Sequence, residues 1–174
     1  MKKYSGIVIR MNSRIMGSLP IDLTKLKELP FEPKKEPWNE YELEDGTTLK
    51  FRIIVVKFFD SGIIDPLTEC PNFVVAYQTV LSILSEERGP PSRLPINLAE
   101  IPEDKKEEVE IAKVKKEDWN VYIVDNKYEH LIKPVIIAVY KLKGFYDPAG
   151  YPIYHVKSQN IGKTRKLKTA EKVV

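Results

Sequence analysis

The chain repeats itself, and the repeat limits what it can become. Lys34-Lys35-Glu36-Pro37-Trp38-Asn39-Glu40-Tyr41 returns as Lys115-Lys116-Glu117-Asp118-Trp119-Asn120-Val121-Tyr122, with six of eight positions identical and the tryptophans 119 − 38 = 81 residues apart. At that spacing Pro71 falls on Pro152, Val75 on Val156 and Gln78 on Gln159. Upstream, Leu19-Pro20-Ile21-Asp22-Leu23 is echoed by Leu94-Pro95-Ile96-Asn97-Leu98. A tandem duplication accounts for this pattern better than chance. A unit that recurs within 174 residues is near the lower size limit for folding alone, so two copies are expected to share a core.

Residue alternation gives each unit its strands. Leu49, Phe51 and Ile53 alternate with Thr48, Lys50 and Arg52, the period of a strand with one wet face. Asp45-Gly46 supplies the positive φ of a tight turn before it, so Tyr41–Glu44 and Thr47–Phe59 read as a hairpin. Ile53-Ile54-Val55-Val56 has no polar break and is expected to be buried on both faces. A loop over Asp60–Asn72 leads to Phe73–Leu84, a third strand or, in its last part, a helix, with strand favoured by Val74, Val75, Thr79 and Val80. The second unit keeps this order: strand Trp119–Val124, turn Asp125-Asn126-Lys127, long strand Leu131–Leu142, loop Gly144–Pro152 with a hairpin turn at Asp147-Pro148-Ala149-Gly150, last strand Ile153–Ile161. Pro134 inside the long strand requires an edge or a bulge there. Asp22 is placed to cap a helical turn reaching Lys27, and Glu103–Glu108 suits one or two more turns. Pro30, Pro33 and Pro37 forbid a long helix and favour an extended edge segment.

The expected fold is all-β or mainly β: two tandem copies of a three-stranded antiparallel unit packed as one pseudo-twofold body, with short helical turns in the connectors. The divisions are an N-terminal strand (Tyr4–Met11) and basic lead over 1–17, a first repeat over 18–84, a Pro/Gly connector over 85–93, a second repeat over 94–161 and a basic tail over 162–174.

Composition excludes several kinds of chemistry. The single cysteine, Cys70, rules out an internal disulfide or a multi-cysteine zinc site and reads as a small buried filler. His130 and His155, the two histidines, fall opposite Leu49 and Val74 in the 81-residue register. They therefore form no duplicated ligand pair and read as surface or strand-face residues. No Gly-x-Ser-x-Gly, His-Glu-x-x-His or Cys-x-x-Cys motif occurs. Gly162-Lys163-Thr164 lacks the glycine a phosphate loop needs five residues earlier, where Lys157 stands. No enzyme activity, cofactor or metal is expected.

The polar residues that recur are Lys34, Lys35, Glu36, Asn39 and Gln78, with their partners Lys115, Lys116, Glu117, Asn120 and Gln159. A twofold could bring Glu36 to Glu117, or Asp65 to Asp147, as an acid pair. The plainer reading makes Trp38 and Trp119 equivalent core anchors, Asn39 and Asn120 turn-bonding residues and the lysines a solvated face.

Charge is uneven. Residues 157–174 carry six basic side chains and one acidic, and residues 1–20 carry Lys2, Lys3, Arg10 and Arg14, so a net charge of +3 leaves 3 − 5 − 4 = −6 for the middle. Basic ends on an acidic body suit contact with nucleic acid or with a neighbouring subunit. Abundant Lys, Glu, Ile and Val with only two Gln resembles the composition of thermophile proteins. The apolar run before Arg10 is too short for a signal peptide or a membrane span, so a cytoplasmic location without membrane contact is expected.

The leading expectation is a non-enzymatic structural or accessory subunit of a larger cytosolic assembly, a ribonucleoprotein complex being one such setting. It would act through protein–protein contacts, as a homo-oligomer of two or more copies or within a hetero-complex. The alternative is a nucleic-acid-binding protein using the basic termini and the Lys/Trp segments. Contacts in either case are expected from Lys34, Lys35, Lys115, Lys116, Lys163, Arg165, Lys166 and Lys168.

Overall fold

Alternating burial along extended segments builds this molecule from strands. The structure is a computed structural model and describes residues 10–11 and 22–168. Its strands are β1 (Arg10–Met11), β2 (Lys27–Leu29), β3 (Phe31–Lys35), β4 (Asn39–Leu43), β5 (Thr48–Ile64), β6 (Pro71–Leu84), β7 (Lys106–Glu108), β8 (Ile111–Lys116), β9 (Asn120–Val124), β10 (Tyr128–Tyr146) and β11 (Pro152–Lys166). Three 3-10 turns lie between strands, at Leu23–Lys25, Leu98–Glu100 and Glu103–Lys105. The protein is mainly β, as its alternation implies.

The strands form two antiparallel sheets, larger than the three-stranded units expected. In the first the order is β1-β6-β5-β4-β8, with β2 also on β5; in the second it is β11-β10-β9-β3, with β7 also on β10. Two pairings cross the chain. β3 pairs with β9, Phe31 facing Val124 and Lys35 facing Val121, while β8 pairs with β4, Val114 facing Tyr41. The chain thus leaves one sheet and enters the other at residues 36–38, and again at 117–119.

The hairpins explain themselves. At β4–β5 the Gly46 N–H donates to Leu43 O at 3.0 Å and Gly46 takes φ +84°, the bulged turn that Asp-Gly favours. At β9–β10 Asp125 and Asn126 both take positive φ, the two-residue turn whose twist matches its strands. Pro134 stands where β10 is bonded only to β11, because β9 pairing stops at Ile132 and β7 pairing starts at Tyr140. A bulge follows between Ile136 and Ala138.

The core lies between the sheets. Tyr41, Leu49, Phe51, Ile53 and Val55 from the first sheet meet Tyr122, Val124, Ile132, Val139 and Val156 from the second. Phe58 sits among Phe31, Phe73, Tyr122 and His130 in edge-to-face contacts of 5.1 to 5.8 Å, the arrangement that ring quadrupoles favour. A bulge between Val55 and Lys57 shifts the strand phase. Phe59 is thereby turned outward onto a second cluster with Val74, Ala76, Leu23 and Leu26.

Several expectations are corrected. The basic tail was expected to start at residue 162, but β11 runs to Lys166, held by Tyr128↔Lys166 and its neighbours in the register. The loop expected over Asp60–Asn72 is shorter, since β5 continues to Ile64 and β6 begins at Pro71. Ile54 and Val56 are half-buried, so Ile53–Val56 is buried fully on one face only. The Asp22-capped turn ends at Lys25, because Lys27 already belongs to β2. Of the strand expected at Tyr4–Met11, Arg10–Met11 is observed, and the rest lies outside the described residues. Cys70 is buried, as a filler should be.

Candidate functional site

The recurring Trp-Asn motif forms the two crossings between sheets. Asn39 and Asn120, not the tryptophans, are the buried members, each fully inaccessible at the first position of its short strand. The Asn39 carboxamide oxygen accepts the Asp118 backbone N–H at 2.8 Å, and the Asn120 amide donates to Ile53 O and to the Tyr122 hydroxyl, both at 2.9 Å. Tyr122 in turn donates to Glu36 at 2.8 Å. Burial, with the Glu36 carboxylate beside it, raises the phenol pKa above its usual value. Burial and the nearby Glu117 act in the same direction on Tyr41. Both tyrosines therefore stay neutral hydrogen-bonding posts.

Trp38 and Trp119 are half-buried, which overturns their expected role as core anchors. The reason is that each lies in a crossing, outside the period-2 pattern that points side chains into the core. A cation covers each ring instead: Arg52 lies 5.0 Å from the Trp38 centroid, and Lys163 and Lys133 lie 5.0 and 5.9 Å from that of Trp119.

His130 also departs from expectation. It is buried on β10 against Phe58 and Phe73, with Nδ1 2.7 Å from Thr164 Oγ1. Burial lowers its pKa to about 4, so the ring is neutral at pH 7. His155 is half-buried on the outer face of β11.

The expected contact lysines do not form one free basic surface. Lys34 pairs with Glu32 at 2.8 Å, Lys115 with Glu42 at 3.8 Å, Lys166 with Glu69 at 3.8 Å and Arg165 Nε with Glu129 at 2.6 Å. Lys35 binds Asp118, whose carboxyl it holds below the usual range. Lys116 faces Glu40 across the β4–β8 register, Lys163 is engaged with Trp119, and Lys168 is exposed beyond β11. Gln78 and Gln159 face Ile54 and Val135 in the two long hairpins.

The carboxylates considered as acid pairs each serve a local partner. Glu36 holds Tyr122, Glu117 pairs with Lys133 at 2.8 Å, and Asp65 and Asp147 accept N–H groups of their own hairpin turns. Among the described residues no group of three His, Cys, Asp or Glu side chains is placed to hold a metal ion, and no helix is long and apolar enough to cross a membrane.

Among the described residues, two cavities open beside these elements. The smaller, about 260 Å³, opens beside the β4–β5 turn and is lined by Asp45, Thr47, Glu86, Glu87 and Lys141. Its lining carries three carboxylates and one ammonium, and Lys141 pairs with Glu87. Burial disfavours the Asp45 carboxylate, but hydrogen bonds from Tyr154 and Thr47 outweigh this and lower its pKa, and Lys141 with Tyr146 does the same for Glu87. The larger, about 560 Å³, lies on the outer face of the second sheet. Its floor is Tyr140, Leu142 and His155, and its cover is the segment from Leu98 to Lys106. Sequence reading missed it, because its residues come from three separated segments and none belongs to the strongest repeat.

The outermost strands are also features of the surface. β11 hydrogen-bonds only β10 among the described residues, along fifteen residues. Nearby on β10, Val135 and Ile137 are 38% and 55% exposed.

No family model matches the chain, and no curated protein or solved structure matches it either.

Proposed function

We propose that this protein is a non-enzymatic structural or accessory subunit, acting through protein–protein contacts in a larger assembly. The observation that carries this reading is the long one-sided edge of β11. An unfilled row of backbone donors and acceptors is a template for strand addition, and natural sheets usually shorten or block it. β3 is interrupted by Pro33, whereas β11 has proline only at its first residue, Pro152, and carries its basic residues at Lys157 and near its end. The exposed Val135 and Ile137 of the adjoining β10 add apolar area beside that edge. A second copy of the chain or a partner strand would cover it, in a cytoplasmic homo-oligomer or hetero-complex.

The same reading treats the chain as a tandem duplication of one pseudo-twofold body. It is supported by β4 and β9, which begin and end 81 residues apart, and by the reciprocal pairing of β3 with β9 and β8 with β4.

Nucleic-acid binding is the second reading, favoured by Lys163 over the half-exposed Trp119 and by Arg165, Lys166 and Lys168 beyond it. It is weakened by the carboxylate partners of most of these cations, which reduce the counterion release that drives such binding.

Mass in solution across a salt series, with and without a mixed pool of single-stranded RNA and DNA, tests both readings. The subunit reading expects a particle heavier than 20.1 kDa that persists in high salt without nucleic acid. A 20.1 kDa monomer that recruits no protein from its native extract overturns it, and a salt-sensitive shift onto nucleic acid promotes the second.

A further inference from the structure

The long hairpins of the two sheets keep one register at a spacing of 81 residues. Val55 faces Tyr77 and Lys57 faces Ala76 on either side of a bulge in β5, as Ile136 faces Ser158 and Ala138 faces Lys157 on either side of a bulge in β10. Their outer edges differ. β1 lies on β6 at Tyr77 and Ala76, whereas the matching residues of β11, Ser158 and Lys157, carry no strand on their outer side among the described residues.

A buried side chain marks the same stretch. Asn160 lies two residues beyond Ser158, on the face turned to the core, and is 7% exposed. Its Nδ2 has no hydrogen-bond partner among the described residues. A buried amide N–H without an acceptor destabilises a fold, and an apolar side chain would serve the core better there. On an edge strand the amide becomes useful when an acceptor arrives from the open side.

We infer that the strand covering β11 is the β11 of a second copy, antiparallel about a twofold axis at Gln159, with Ser158 of the partner subunit accepting from Asn160. The inference rests on the edge-mediated assembly proposed above and names its partner. Opposed residues of an antiparallel pair have Cβ atoms about 4.5–5.5 Å apart, within reach of an amide-to-hydroxyl bond. Gln159 is also the midpoint of Pro152–Lys166, so an axis there pairs the whole of both strands.

Charge selects the same register. β11 carries four cations and no carboxylate, and like charges directly opposite one another destabilise a strand pair. The axis at Gln159 sets Lys157 of each copy against Ile161 of the other, Lys163 against His155, Arg165 against Ile153 and Lys166 against Pro152, so that no lysine or arginine meets another. An axis at Asn160 sets Lys157 against Lys163, and one at Ile161 sets it against Arg165. An axis at Ser158 avoids both clashes but sets Asn160 against Val156, which offers no side-chain acceptor.

Gln159 is exposed and would face its own copy across the axis, which makes it the probe. In sedimentation of the intact chain the parent is expected at twice 20.1 kDa. Gln159→Lys and Gln159→Glu each oppose like charges at the axis, and each is expected to raise the dimer dissociation constant about tenfold or more. An equimolar mixture of the two is expected to dimerise at least as tightly as the parent, which also shows both variants to be folded. Ser158→Ala removes two bonds per dimer and is expected to weaken it about tenfold. A dimer indifferent to charge at residue 159, or variants that stay monomeric when mixed, overturns this interface and leaves assembly through another surface standing. A chain that is monomeric alone and pairs with a different protein from its native extract overturns the inference and keeps the subunit reading; a monomer that recruits nothing removes both.

Discussion

The side-chain amide of Asn120 donates to the backbone carbonyl of Ile53 at 2.9 Å, tying the first residue of β9 to the middle of β5 in the opposite sheet. The bond is buried, and it falls between the stretches where β5 is paired by β4 and by β2, so the Asn120 amide stands in for a missing strand. Asn120→Ala should leave that carbonyl unsatisfied and cost about 2–3 kcal/mol. Urea unfolding reads this as a lower midpoint at unchanged slope. A cost no larger than that of the exposed Lys34→Ala would show that water reaches the site.

The tryptophans should behave as surface residues. With Trp38 and Trp119 half-buried under cations, either alanine variant is expected to cost about 1–2 kcal/mol, from lost cation–π contact and partial burial. Phe58→Ala, at the centre of the ring cluster, is expected to cost about 3–5 kcal/mol. Thermal melts of the three variants give the order directly, and equal losses would return the tryptophans to the core.

His130 predicts acid sensitivity. Its folded pKa, about 4, lies below the ordinary 6.5, so between these values the unfolded chain takes up a proton that the folded chain refuses. Stability from this group is complete above pH 6.5 and is lost as the pH falls through 4, by about 3 kcal/mol at most. His130→Phe, which keeps a ring against Phe58 and Phe73, should flatten the slope of stability against pH across that window. An unchanged slope would assign the acid sensitivity to the carboxylates.

Pro37 marks a missing bond. Asn39 accepts the N–H of Asp118, but the Asn120 carboxamide oxygen has no hydrogen-bond partner among the described residues, and the residue 81 before Asp118 is Pro37, which has no N–H to give. Pro37→Asp restores a donor at the first crossing. The gain of a buried hydrogen bond, about 1 kcal/mol, should offset the entropy that proline removes from the unfolded chain. Stability at or above the parent is expected in chemical denaturation; a loss above about 1 kcal/mol would mean that the two crossings differ in geometry.

The strands were legible because their signals are local. Asp45-Gly46 and Asp125-Asn126 fix their hairpins through φ alone, and Pro134 announces the open side of β10. Partner choice was not legible. Phe31–Lys35 and Ile111–Lys116 carry no alternation and are exposed along almost all of their length, and nothing in them says that β3 joins β9 or β8 joins β4. The end of β11 was missed for a related reason: Gly162-Lys163-Thr164-Arg165-Lys166 has no apolar pattern, and is a strand because Tyr128–Ile132 lies beside it. His130 was read as a surface residue because it follows Glu129 and the Asp125-Asn126-Lys127 turn, while its neighbours in space, Phe58 and Phe73, are remote in sequence. The large cavity was hidden in the same way, spread over Leu98–Lys106, Tyr140 and His155.

The pairing of β3 with β9 and of β4 with β8 sets a timetable for synthesis. A ribosome delivers Phe31–Lys35 long before Asn120–Val124, and Lys35 must wait 121 − 35 = 86 residues for Val121. Closing so long a loop is slow, and β4 separately lacks its outer neighbour until Ile111–Lys116 has been made. While translation is under way, the nascent chain therefore presents an incomplete sheet, and on a crowded polysome the strand that fills it can come from the message's next copy.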